Sequence, residues 1–337
     1  MSNVKALQAQ NGIPKLLEIE APQLFPTAVM VKTRYTAISP GTERLLIEAS
    51  HDGVRQLGYS AVGVVTAIGD NVTTVQVGDT VACYGAPYVG HMAQLAVPET
   101  LVAKCPQSVA LQHAAFAAHG TIAIHAIRQG QLQFGESVVV IGLGVLGQMI
   151  AKICAAASYD VICYEPNEQR AAMLQQKPGI DVFTNLSLME AHIEQFTKGQ
   201  GVDAVLLCAG GKHSETTARS LQWVRKQGRI VIVGDVEPQF DREALFAKEA
   251  VITISRAGGP GRYDARYEKE AIDYPYHYVR WTQGRNLAAY IRLLERKAID
   301  VSDFVQLQIP VEQSAQIYEQ LVASEALTAI IDFSGGN

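Results

Sequence analysis

Residues 138–165 read VVVIGLGVLGQMIAKICAAASYDVICYE, and no other stretch limits what this chain can fold into as tightly. An apolar run meets Gly142. Gly144 and Gly147 follow, then a small-residue helical stretch, then a second apolar run that ends at Glu165, eighteen residues beyond Gly147. The pattern is a βαβ unit, and each glycine has a mechanical reason. Gly142 allows a tight turn off the strand, Gly144 lets a pyrophosphate approach the backbone, and Gly147 lets the helix pack closely on the sheet. Val145 and Leu146 open that helix, whose unpaired N–H groups receive an anion. The segment therefore reads as a dinucleotide site, and the chain as a nicotinamide-dependent oxidoreductase.

Glu165 bears on which coenzyme is held. A carboxylate at the tip of the second strand accepts hydrogen bonds from both adenosine ribose hydroxyls, whereas a 2′-phosphate there would meet like charge. NAD(H) is expected over NADP(H). The competing reading makes Glu165 a solvated loop acid and sends Arg170 round to accept a phosphate. Cys208, Gly234 and Ser255, at the ends of later strand-like runs, complete the expected cofactor-binding positions.

At 337 residues the chain is long enough for two domains. It has neither an apolar stretch of bilayer-spanning length nor a basic n-region followed by an apolar core, so a cytoplasmic protein without membrane contact is expected. Its net charge of −5 lacks the basic footprint that phosphate-backbone binding demands, which argues against nucleic acid. The five cysteines (Cys83, Cys105, Cys154, Cys163 and Cys208) are scattered and contain no C-x-x-C pair. They read as core residues of a reducing compartment and exclude zinc held by clustered cysteines.

Residues 27–38 alternate like a half-buried strand, and 59–83 carry strand-like runs broken by Gly-Asp-Asn and Val-Gly-Asp turns. The first ~115 residues therefore look β-rich and barrel-like. From Leu111 the texture becomes alanine-rich with helical spacing. Beyond Glu165, helices over 168–176 and 188–197, a helix opened by Ser214, and strands at VDAVLLCA, GRIVIVG and 249–255 alternate as in a parallel sheet covered on both faces. A helix near 285–297 and a β tail ending ALTAIIDF close the chain.

PGTE at 40–43, GYSAVGVVTAIGDNVTTVQVGDTV at 58–81, IGLGVLG at 141–147 and the distal helix with its β tail together resemble the medium-chain dehydrogenase/reductase superfamily of the alcohol dehydrogenase type. The resemblance covers nearly the whole chain. It implies an α/β protein: a GroES-like β-rich catalytic domain over 1–117 and 256–337, interrupted by a Rossmann doubly wound parallel-sheet domain over 118–255, with the active site in the cleft between. It also implies a homodimer paired through Val251–Ser255, for which an exposed sheet edge is the physical reason.

The sequence departs from the zinc-dependent members where metal would sit. Pro40-Gly41-Thr42-Glu43 stands in place of Cys-Gly-Thr/Ser-Asp, Gly58-Tyr59-Ser60 in place of Gly-His-Glu, and the third ligand position falls near Ala118. Residues 82–94 offer one cysteine where a four-cysteine lobe would be. Proline, tyrosine and alanine cannot supply the three donors of a catalytic zinc, so no metal is expected. Hydrogen-bonding side chains must then handle the substrate's proton and oxygen. Thr42 matches the family's proton-relaying hydroxyl. Tyr59 puts a phenol in the place of a ligand, either as acid/base or as an aromatic filling the vacated space. His119 is the reserve acid/base; His91 and His125 are weaker candidates, and Glu43 is a supporting carboxylate.

The segment 255–280, SRAGGPGRYDARYEKEAIDYPYHYVR, packs five tyrosines and four arginines. Such density suits a polar or anionic small molecule, with Arg256, Arg262 and Tyr263 as candidate contacts, or else a lid or interface segment. Its GPGRYD…YPYHYVRWT pattern is similar to zinc-lacking dehydrogenases of sugar or polysaccharide biosynthesis, and PGTER is similar to the bacteriochlorophyllide hydroxyethyl dehydrogenases. Three functions are compatible with these readings. The leading one is a zinc-independent NAD(H)-linked enzyme interconverting a secondary alcohol and a ketone on a polar, sugar-like substrate. The others are an NADPH-dependent quinone or enoyl reductase, against which Glu165 argues, and a cofactor-binding sensor without turnover.

Overall fold

The computed structural model describes residues 3–211 and 215–335, and statements of number below refer to these. Ser214, expected to open a helix, lies outside them. The chain divides into two compact units, one of residues 1–121 with 258–337 and one of residues 122–257.

The first unit is β-rich. Its strands are β1 (Asn3–Gln10), β2 (Ile13–Glu20), β3 (Ala28–Ala37), β4 (Arg55–Gln56), β5 (Ser60–Ile68), β6 (Thr80–Tyr84), β7 (Gln94–Pro98) and β8 (Val102–Lys104). β1 and β2 form an antiparallel hairpin closed by Asn11 and Gly12, both at positive φ, and with β4 make a small sheet that the sequence reading did not separate. β3 pairs with β5, β7 and a later strand. Its register against β5 shifts at Met30/Val31 and Thr33/Tyr35. Such bulges bend a strand, and they let one strand serve neighbours on both edges of a curling sheet. Gly63 of β5 is required there, since a Cβ would fall 2.3 Å from the Lys32 carbonyl oxygen.

The second unit contains β9 (Ser137–Ile141), β10 (Asp160–Tyr164), β11 (Ile180–Phe183), β12 (Val202–Leu207), β13 (Val224–Ile232) and β14 (Val251–Ile254). All pair in parallel, in the order β11-β10-β9-β12-β13-β14. This is the doubly wound order, which reverses direction between β9 and β12. Residues 138–141, 204–207 and 230–232 are buried without interruption, the continuous apolar interior of a sheet covered on both faces. The helix expected over 168–176 is confined to Glu168–Ala172; turns follow up to Pro178, which disfavours helical backbone just before it. The one expected over 188–197 starts at Leu186, because the Asn185 side chain caps it by accepting from the Leu188 N–H.

The chain then returns to the first unit with β15 (Gln308–Pro310) and β16 (Ile330–Asp332), which add to β3. The distal helix runs Gln283–Glu295, started by the Thr282 side chain. Among the described residues, no helix is long and apolar enough to cross a membrane.

Candidate functional site

In the second unit Gly142 follows β9, Gly144 precedes the next helix and Gly147 lies in that helix's first turn. Gly142 has φ +89°, and a Cβ on Gly147 would lie 1.9 Å from the Gly142 carbonyl oxygen, so helix Val145–Ala156 can leave the turn only with glycine there. A Cβ on Gly144 would meet no protein atom within 4 Å, so its surroundings leave room for a ligand. The first bond of that helix is Gln148 N–H to the Gly144 carbonyl, 2.9 Å. The N–H groups of Val145, Leu146 and Gly147 precede it and are the ones an anion would receive. Cys208, Gly234 and Ser255 follow the carboxyl ends of β12, β13 and β14, the edge on which open α/β sheets bind ligands. The Cys208 thiol is held up to about 12 by burial, and the buried Ser255 hydroxyl has no protein partner.

Glu165 is buried at the end of β10, and its carboxylate already works for the protein. One oxygen accepts the Leu143 N–H of the glycine turn at 2.7 Å and the other the Asn167 N–H at 3.0 Å. Each keeps a lone pair for a further donor. Arg170 lies exposed on helix Glu168–Ala172, its backbone N–H held by the Asn167 cap. These residues fit a dinucleotide.

In the β-rich unit a second cluster forms around Tyr59, just before β5. Its O–H donates to the Ser39 hydroxyl at 2.5 Å, and its oxygen is also hydrogen-bonded by the side chain of Thr42. Burial pushes the Tyr59 phenol up from its ordinary range; the two hydroxyls pull it back in part, and the Glu43 carboxylate adds to the rise. Ser39 precedes helix Pro40–Glu48 but its hydroxyl makes no cap bond, which leaves it for Tyr59. The cap runs in reverse, with Glu43 Oε1 accepting the Ser39 N–H at 2.7 Å. The Tyr59 ring lies 6.2 Å from that of Tyr84 and 6.3 Å from that of His119. His119 is buried with neither ring nitrogen bonded, and burial holds its pKa at about 4, so the imidazole is neutral. The Ser60 hydroxyl, bonded to the Ala115 carbonyl (2.6 Å) and the Ala118 N–H (2.9 Å), ties this helix start to β5. His125 is buried in the other unit, also held near 4 by burial.

At the three positions where the resemblance would put zinc ligands, the donors present do not fit the metal. Pro40 and Ala118 bring none, Tyr59 brings a phenol that burial keeps protonated, and His119 brings one neutral imidazole. A catalytic zinc needs about three nitrogen, sulfur or carboxylate ligands.

Arg262, a candidate contact for an anionic ligand, already has protein partners. Its guanidinium is nearly buried and spent on the Glu268 carboxylate (2.5 Å) and the Ala86 carbonyl (2.6 Å), while Glu268 also accepts the Tyr263 N–H. Arg262 fastens the loop, and Tyr263 lies exposed with its ring 4.0 Å beneath that guanidinium. Arg256 is exposed, six residues before Arg262. Tyr267, from the same tyrosine-rich segment, belongs to the core of the β-rich unit. Ser39 and Tyr84 were not singled out by sequence reasoning. The spacing Ser39-Pro40-x-x-Glu43 is that of a helix start and could have pointed to Ser39, but nothing local marks the bond to Tyr59.

Residues 142–273 match the zinc-binding dehydrogenase family model. A D-guloside 3-dehydrogenase of Escherichia coli (strain K12) is 26% identical over 277 residues, covering 80% of this chain and 74% of that protein. An alcohol dehydrogenase of Thermus sp. ATN1 superposes with a TM-score of 0.79 at 22% identity, over 97% of this chain and 99% of that one. A zinc-binding dehydrogenase of Sinorhizobium meliloti 1021, solved with NADP bound, superposes at 0.78 and 17% identity, over 98% and 100%. The fold is the GroES-like plus Rossmann arrangement, and over most of its length the chain is similar in sequence to dehydrogenases.

Proposed function

We propose that the protein interconverts a secondary alcohol and a ketone on a polyhydroxylated, sugar-like molecule, using NAD(H) and no zinc. The observation that carries this reading is the Tyr59 phenol, bonded to two hydroxyls at a family ligand position that lacks metal donors. A nicotinamide coenzyme, when bound, supplies the hydride acceptor or donor. In the reductive direction Tyr59 gives its proton to the carbonyl oxygen. The Ser39 and Thr42 hydroxyls then stabilise the phenolate left behind until solvent restores its proton. Burial and the Glu43 charge keep the phenol protonated at neutral pH, the state a proton donor needs. His119, kept neutral, serves as a hydrogen-bond donor to the same oxygen.

Sugar-like substrates are favoured by the guloside dehydrogenase relative. Glu165 favours NAD(H), since its charge disfavours a 2′-phosphate. Pairing of two copies through β14 in the cytoplasm completes the proposal. β14 is the sheet edge, with Val251 41% and Ile254 66% exposed.

The test is turnover of NADH against a panel of keto-sugars, and of NAD against the matching alcohols. Tyr59→Phe is expected to lower kcat by ~10²-fold with KM little changed, the range of general acid catalysis. Full activity in that variant would remove Tyr59 from the reaction, and NADH binding without turnover on any panel member would favour a sensor.

A further inference from the structure

The most elaborate polar network in the β-rich unit lies behind Tyr59, and of its inner members the mechanism above uses only the charge of Glu43. Glu43 and His91 have no exposed surface. Glu43 Oε1 accepts the Ser39 N–H; Oε2 accepts His91 Nε2–H at 2.9 Å and the Tyr318 O–H. A carboxylate only accepts, so Nε2 carries the proton, and His91 Nδ1 meets the Thr36 hydroxyl at 2.7 Å. On its other side, the His91 ring lies against Gly58, the residue before Tyr59. Gly58 has φ +81°, and a Cβ there would stand 2.7 Å from three atoms of the imidazole. The backbone closes the same contact, with His91 N–H donating to the Leu57 carbonyl at 2.9 Å.

We infer that His91 is a positioning residue for Tyr59, holding Ser39 through Glu43 on one side and the Gly58 backbone on the other. The inference rests on the reading of Tyr59 as the proton-transfer group. Both ends of the Tyr59–Ser39 hydrogen bond are seated on this imidazole. Ser39 is fixed by the carboxylate that His91 orients, and the strand start that carries the phenol packs on the ring face. A buried carboxylate holds one orientation only while its acceptors are filled. Without the imidazole, Glu43 is free to turn toward Tyr318, Ser39 loses its anchor and the phenol drifts. A displacement of about 1 Å at a reacting group can cost 10²-fold in rate.

The test is a double-mutant cycle on kcat, with the keto-sugar that turns over fastest in the panel above. His91→Phe is expected to lower kcat by roughly 10- to 100-fold at unchanged KM. NADH affinity by calorimetry is expected to stay the same, since the glycine turn belongs to the other unit. His91→Gln, whose amide N–H still reaches Glu43, is expected to recover most of the loss. In a Tyr59→Phe background, His91→Phe is expected to cost nothing further. Additive losses, or full kcat in His91→Phe, would overturn the inference. Retained turnover in Tyr59→Phe alone would remove the reading beneath it, and is seen separately in that single variant. Should His91→Phe not fold, Thr36→Val, which strips the Nδ1 partner, goes through the same cycle with the same outcomes deciding.

Discussion

At the scale of single residues, burial decides which proton states are available. The His119 imidazole is buried, with the Phe116 ring edge-on at 5.8 Å and no hydrogen bond from the protein to either nitrogen. Burial lowers its pKa from 6.5 to about 4, so between those values the unfolded chain binds a proton that the folded one refuses. The stabilisation that a neutral His119 supports is complete above pH 6.5 and is lost as pH falls toward 4. His119→Phe is therefore expected to flatten the decline of melting temperature over that interval, leaving the part due to His125. An identical decline in the variant would show that His119 charges freely in the fold. Glu165 is argued on similar ground. Because it anchors the Leu143 N–H as well as making the proposed contact with the ribose, alanine would confuse two effects. Glu165→Gln keeps an acceptor and removes the charge, and is expected to reduce the preference for NADH over NADPH by roughly tenfold, the scale of about one charge-assisted bond. Unchanged relative affinities in calorimetry would mean that Glu165 does not read the ribose.

At the scale of elements, what could be read from sequence was what the chain encodes locally. The glycine turn, the apolar runs of β9, β10, β12 and β13 and the acid at Glu165 lie within short windows, and their geometry follows from turn chemistry and periodicity. The surroundings of Tyr59 do not. Tyr318 reaches Glu43 across 275 residues, and the Arg262 guanidinium is claimed by the Ala86 carbonyl across 176, so neither partnership leaves a local pattern. The hairpin of β1 and β2 was missed for a related reason, since its mixed alternation gains meaning only once β4 pairs beside it. β14 carries its own consequence. A parallel sheet that ends on an edge strand with exposed Val251 and Ile254 is a template for pairing. Ile254→Lys is expected to convert a dimer into a monomer by sedimentation velocity, while an unaltered dimer would put the interface elsewhere.

For the whole molecule, two units divide the chemistry. One presents a glycine turn and a sheet edge proposed to hold a dinucleotide, and the other presents a phenol, two hydroxyls and a buried imidazole. The central claim is that proton handling at the redox centre depends on these side chains and not on a metal. The most direct measurement is the zinc content of the purified protein, taken together with NADH turnover before and after exhaustive chelation. Zinc well below one equivalent and undiminished turnover are expected. One tightly bound equivalent, with turnover lost on its removal and restored on its return, would contradict the account.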